Sequence, residues 1–103
     1  MVTRGDVCWY RDPRAGRRPF LVLTRAAAVT VLTGVLAVPV TRTVRGIPTE
    51  VPLDDVDGLA GPCALSLDNL TVVDKGALGA PITSLGPAKM EAVCRALQVA
   101  TAC

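Results

Sequence analysis

The chain contains no histidine. That excludes Ser-His-Asp and Cys-His catalysis, imidazole metal sites and the usual general base near neutral pH. What remains for chemistry is arginine, threonine and aspartate. Arg18 opens the apolar run Pro19–Thr24, and Thr41 closes a second apolar stretch that ends Val-Pro-Val-Thr. If these segments pair as antiparallel strands, the start of one lies beside the end of the other. A guanidinium and a hydroxyl then meet at one sheet edge. The bland alternative is that Arg18 pairs with a surface acid and Thr41 merely fills a strand end.

Charge supports an anion-binding reading of that edge. Net charge is only +2, but residues 1–49 hold eight Arg against Asp6 and Asp12, a balance of +6. Residues 50–103 hold Lys75, Lys89 and Arg95 against seven acids, a balance of −4. An all-arginine basic half suits bidentate phosphate recognition better than lysine does. Either a solvated polar surface or an anion-binding face fits this distribution.

The four cysteines (Cys8, Cys63, Cys94, Cys103) show no CxxC spacing, and without His no zinc site is expected. Cys8 and Cys94 read as small core residues and Cys103 as a free thiol. No cofactor motif such as GxGxxG or a P-loop is present. The start Met-Val-Thr-Arg-Gly-Asp has no apolar signal region, so a cytoplasmic protein without disulfides is expected. Ala26–Val40 is fifteen residues without charge, short of the roughly 20 that a membrane helix needs. Its five Val, with Gly34 and Pro39, favour a buried strand, so no membrane partner is expected.

These residues must be positioned by mostly extended elements. At 103 residues the chain suits one domain, 1–103, and its fifteen Val, ten Thr and two Ile favour strands. The pattern predicts strands over Asp6–Tyr10, Pro19–Thr24, Thr33–Thr41, Thr49–Leu53, Pro62–Leu67 and Leu70–Asp74, and one near Ile82. Arg11–Arg17, with Pro13 and Gly16, reads as an arginine-rich loop. Thr43–Pro48 and the acidic Asp54–Gly61 read as further loops, and Arg25–Val29 as one helical turn. Met90, Val93, Cys94 and Leu97 recur at helical spacing after Pro87, with Ser84 or Gly86 as cap. The expected architecture is mainly β with α: a small curled antiparallel sheet or barrel with a C-terminal helix packed on it.

Four stretches in order resemble the MazF/PemK family of toxin endoribonucleases. They are Arg4-Gly5-Asp6-Val7-Cys8-Trp9, Gly16–Thr24 with its Arg18-Pro19 pair, Val38–Thr41 leading into Gly46–Val51, and Leu67-Asp68-Asn69-Leu70. The resemblance runs from Arg4 to the terminal helix. It implies an SH3-like barrel (CcdB/PemK-like), a homodimer, single-stranded RNA held in a groove, and a cognate antitoxin. It also implies metal-independent cleavage to a 2′,3′-cyclic phosphate and a 5′-hydroxyl.

The family's cleavage residues correspond to Arg18 and Thr41, the pair that strand geometry had already selected. Arg14, Arg17, Thr43 and Arg45 then become candidates for RNA backbone contact. Asp12 is the nearest carboxylate for the strand's 2′-hydroxyl, since Arg18 is too weak a base. Asp68 and Asn69 match positions that read bases, or else cap a turn. Trp9 reads as an interface residue. The loop between the first two strands is shorter than in many relatives and lacks their acidic segment. The rival reading is a non-enzymatic binding module on the same barrel, as in the CcdB group that inhibits DNA gyrase.

Overall fold

Val7–Tyr10 and Phe20–Leu23 alternate their side chains between two faces, and both faces are covered. A computed structural model describes Met1–Cys103. It contains β1 (Asp6–Asp12), β2 (Gly16–Val22), a one-turn α1 (Ala26–Val29), β3 (Gly34–Thr41) and β4 (Glu50–Leu53). After these come β5 (Cys63–Ser66), β6 (Thr71–Asp74), β7 (Pro81–Ser84) and α2 (Pro87–Thr101). Short 3-10 turns occupy Asp55–Asp57, Leu67–Asn69 and Lys75–Ala77. The main strand path runs β4-β5-β3-β2-β1-β7, with β6 also on β3 and every pairing antiparallel.

Strand β3 is the axis of this curled sheet. One edge pairs with β2; the other pairs first with β6 (Gly34–Ala37) and then with β5 (Val40 and Thr41). The change of partner falls at Pro39. Leu23 N–H donates to Leu36 O at 2.8 Å, which fixes the even-numbered residues of β3 as those pointing their backbone groups at β2. The nitrogen of Pro39 therefore points the other way, into the gap between β6 and β5. A missing donor costs nothing there.

Two buried clusters lie on opposite faces. Val7, Leu21, Leu23, Val38, Val51, Leu53 and Leu65 pack under α2 through Val93 and Ala96. Phe20, Val22, Val35, Ala37 and Val73 pack with Val29 of α1, and Tyr10 meets Phe20 edge-on at 5.0 Å. Two-sided burial explains why Pro19–Thr24 reads as an unbroken apolar run. No helix is long and apolar enough to cross a membrane.

Several boundaries differ from the sequence reading. Most of the expected Arg11–Arg17 loop is strand: Asp12 pairs with Gly16, leaving only Pro13–Ala15 outside the ladder. The cause is a three-residue hairpin. Ala15 N–H donates to Asp12 O, Asp12 Oδ1 accepts from Arg14 N–H, and Gly16 takes φ 74°. The Pro62–Leu67 strand stops at Ser66, because Leu67–Asn69 closes into a 3-10 turn. Gly86 occupies the cap position of α2, with Pro87 first in the helix and no side-chain cap, so Ser84 is not the cap.

Cys94 is exposed and not a core residue. The buried stripe of α2 is centred on Val93, Ala96 and Leu97, and Cys94 lies a full ~100° step from Val93 around the helix. The cores predict a sharp contrast in stability. Leu65→Ala, at a fully buried site, should lower the unfolding free energy by about 2–5 kcal/mol. Val99→Ala, exposed on α2, should change it by no more than about 0.5 kcal/mol in urea titrations.

Candidate active site

Arg18 is the third residue of β2, opposite Tyr10 on β1. The paired β2–β3 register ends at Phe20 with Pro39; continued two residues along each strand it brings Arg18 level with Thr41, and both line one groove. This is the juxtaposition expected from the strand ends. The guanidinium is held from three sides. Its Nε–H and Nη2–H both donate to the backbone oxygen of Val40, at 3.2 and 2.8 Å. Nη1 lies 3.7 Å from Asp12 Oδ2, and the guanidinium carbon sits 5.9 Å from the Phe20 ring centre. With one edge of the fork on a carbonyl, its Nη1/Nη2 end remains for a bidentate anion.

Val40 O belongs to the peptide unit that leads into Thr41, so Arg18 grips the backbone of its own neighbour. Thr41 Oγ1 accepts from Thr43 N–H at 3.1 Å. That occupies an oxygen lone pair and leaves the hydroxyl proton free to donate. A groove of about 560 Å³ opens at these strand ends, lined among others by Trp9, Arg17, Arg18, Thr41 and Arg42. Arg17 lies over Trp9, its guanidinium carbon 4.2 Å from the ring centre, a cation–π stack that fixes another positive group at the rim.

The predicted residues thus fall into two groups. Arg17, Arg18 and Thr41 line one groove, with Asp12 ion-paired to Arg18 and Thr43 bonded to Thr41. Arg14 is exposed on the hairpin tip, its amide on Asp12. Arg45, Asp68 and Asn69 do not line the groove and belong to a second cluster. There Asp68 Oδ2 accepts from Thr49 Oγ1–H at 2.6 Å, and Asn69 Nδ2–H donates to Ser66 Oγ at 2.7 Å.

Glu50, which carried no sequence signal, organises that cluster. Its buried carboxylate accepts from Arg45 N–H and Gly46 N–H at 2.9 and 3.0 Å and so ties down the loop between β3 and β4. Arg42 and the Leu59–Pro62 segment were also missed as groove walls. A charge following Thr41 was the available hint for Arg42; a loop brought in from across the sheet leaves none.

Cys63 lines the groove yet is buried. Burial pushes its thiol above the ordinary value of 9.0; Asp57 and Asp54 add to the rise, and Arg42 opposes it. Burial also raises Cys8, with Asp6 contributing. Both are protonated at neutral pH and poor nucleophiles.

A curled antiparallel sheet with one C-terminal helix, presenting arginines and a threonine at an open groove, defines a small β protein with a basic groove. The model of the PemK-like, MazF-like toxins of type II toxin–antitoxin systems matches residues 3–101, and the chain belongs to that family. It is 38% identical over 104 residues to "Probable endoribonuclease MazF5" of Mycobacterium tuberculosis, covering 100% of this chain and 95% of the relative. Among solved structures, the Mycobacterium tuberculosis toxin MazF-mt6 superposes with TM-score 0.87 at 35% identity, covering 94% of this chain and 96% of that one. A mycobacterial endoribonuclease in complex with its cognate antitoxin superposes with TM-score 0.88 at 31% identity, covering 99% and 96%.

Thiol reactivity checks this account of the cysteines. In the native protein near pH 8, a chromogenic disulfide should titrate Cys94 and Cys103 quickly and Cys8 and Cys63 only on unfolding. Because the two buried thiols titrate higher when folded, their contribution to stability is complete below the unfolded thiol value and is lost as pH rises through the folded one.

Proposed function

We propose that this chain is the toxin of a toxin–antitoxin pair and cleaves single-stranded RNA endonucleolytically, in the cytoplasm, in a sequence-specific and metal-independent reaction. The observation that carries this reading is Arg18, fixed on the Val40 carbonyl with Thr41 opposite in an open, arginine-rimmed groove. The endoribonuclease relatives favour RNA cleavage over gyrase binding.

The nucleophile is the RNA's own 2′-hydroxyl. Its oxygen forms a bond to the adjacent phosphorus while the bond from phosphorus to the 5′-oxygen breaks, giving a 2′,3′-cyclic phosphate and a 5′-hydroxyl. The proton lost from the 2′-oxygen and the proton gained by the 5′-oxygen balance. Protein groups align the phosphate and stabilise charge on its non-bridging oxygens, which the Arg18 fork and the Thr41 hydroxyl are placed to do. Asp12, beside Arg18, is the candidate acceptor of the 2′-proton. Arg14, Arg17, Arg42 and Thr43 bind the strand's phosphates. Asp68, Asn69 and Arg45 read or hold nucleotides further along, since phosphates position and base edges specify.

A homodimer and an antitoxin complete the reading. The cognate-antitoxin complex of the mycobacterial neighbour supports the second partner. Exposed Leu36 on β3 and its cross-strand partner Val72 on β6, with exposed Val31 and Leu32 just before β3 in the chain, supply an apolar face for a second copy. Sedimentation should give a dimer at micromolar concentration and a monomer for Leu36→Asp; a wild-type monomer contradicts this part.

The activity test uses a long RNA in EDTA, with the ends mapped. Discrete fragments bearing 5′-hydroxyl ends are expected. Loss of one charge-stabilising donor costs about 10²–10³-fold in kcat, so Thr41→Ala and Arg18→Ala should each fall in that range. Arg18→Lys should not rescue, because an ammonium cannot span carbonyl and phosphate together. Intact RNA at high protein excess, with gyrase bound instead, would overturn the reading.

A further inference from the structure

Pro19 sets the position of Arg18 by withholding a hydrogen bond. The Leu23 N–H to Leu36 O bond defines which β2–β3 pairs exchange backbone bonds. In an antiparallel ladder these recur every second residue, and the register is unbroken from Val22↔Ala37 to Phe20↔Pro39. The bonded pairs are therefore 23 with 36, 21 with 38, and 19 with 40. In the last of them the donor would be the backbone nitrogen of residue 19, and the acceptor Val40 O. Residue 19 is proline and has no N–H. Val40 O, in a half-buried strand end, is left without its ladder donor, and the Arg18 Nε–H and Nη2–H converge on it instead.

We propose that Pro19 is a positioning residue for the cleavage reaction: by leaving the Val40 carbonyl open, it gives the Arg18 guanidinium a fixed backbone anchor beside Thr41. This deepens the RNA-cleavage reading and rests on it. Any other residue at 19 would supply an amide already aimed at Val40 O. Such a bond needs no further side-chain ordering, whereas anchoring Arg18 immobilises a long flexible side chain. With two guanidinium donors already on that oxygen, a third donor must displace at least one of them. Arg18 is then free to swing, as an ordinary surface arginine does.

The test compares Pro19→Ala and Pro19→Val, the latter a strong strand former, in wild-type and Arg18→Ala backgrounds. Residue 19 is also replaced by N-methylalanine through cell-free translation, which restores a nitrogen without a proton. The expected result is a fall in kcat of about tenfold or more for both coded variants, with KM within about twofold. In the Arg18→Ala background the same substitutions should cost less than about twofold, since neighbours acting as one unit are non-additive. N-methylalanine should return kcat to within about twofold of wild type.

The NMR signal of Arg18 Nε–H should exchange slowly with water in wild type and in the N-methyl protein, and quickly in Pro19→Ala. Equal losses with and without Arg18, or no rescue by N-methylalanine, would overturn the proposal. So would a protected Arg18 Nε–H in Pro19→Ala. That signal needs no substrate, so a wild-type protein that leaves RNA intact refutes cleavage while the anchoring exchange is still decided.

Discussion

The Val40 carbonyl carries the site. It is a backbone oxygen on the central strand, and it accepts from both Nε and Nη2 of Arg18. A guanidinium on a flexible stem is normally a diffuse charge. One whose fork is seated on a strand has an orientation set by the backbone, and the backbone is set by the core. Phe20 beneath the guanidinium and Asp12 at its side complete the seat. The geometry of the groove therefore rests on the packing of β2 and β3, which is buried on both faces.

Two prolines on these strands act through absent hydrogens, and they differ in consequence. Pro39 has its nitrogen at the place where β3 leaves β6 and joins β5, so its missing donor falls in a gap that the curling sheet already requires. Pro19 has its nitrogen aimed at an occupied strand, so its missing donor leaves an acceptor open. The first lets β3 take three strand partners. The second releases a backbone oxygen for a side chain. The same chemistry of proline thus shapes the sheet at one position and equips it at the other.

The long apolar strand, the terminal helix and the approach of Arg18 to Thr41 at one groove were legible in the sequence. Each follows from a period or from strand ends, and such patterns are local. The hairpin was misread because Arg11-Asp12 and Gly16-Arg17 are polar, whereas its order comes from the Asp12–Arg14 bond and the left-handed Gly16. Cys94 was misplaced because the apolar spacing of α2 fits two stripes that differ by one helical step. Packing against β4 and the Leu67–Asn69 turn selects the stripe through Val93 and Ala96. Glu50 and the Leu59–Pro62 wall left no pattern, since their roles depend on contacts across the sheet.

A chain without histidine can cleave RNA if the substrate brings the nucleophile and the protein brings a fixed positive fork. The most direct measurement is a structure of the protein with an RNA of cleavable sequence that carries a single 2′-deoxy nucleotide at the scissile position. The scissile phosphate is expected on the Nη1/Nη2 end of Arg18 and on the Thr41 hydroxyl, with Nε still bonded to Val40 O. A strand bound away from this groove, or an Arg18 that leaves Val40 O to reach the phosphate, would contradict it.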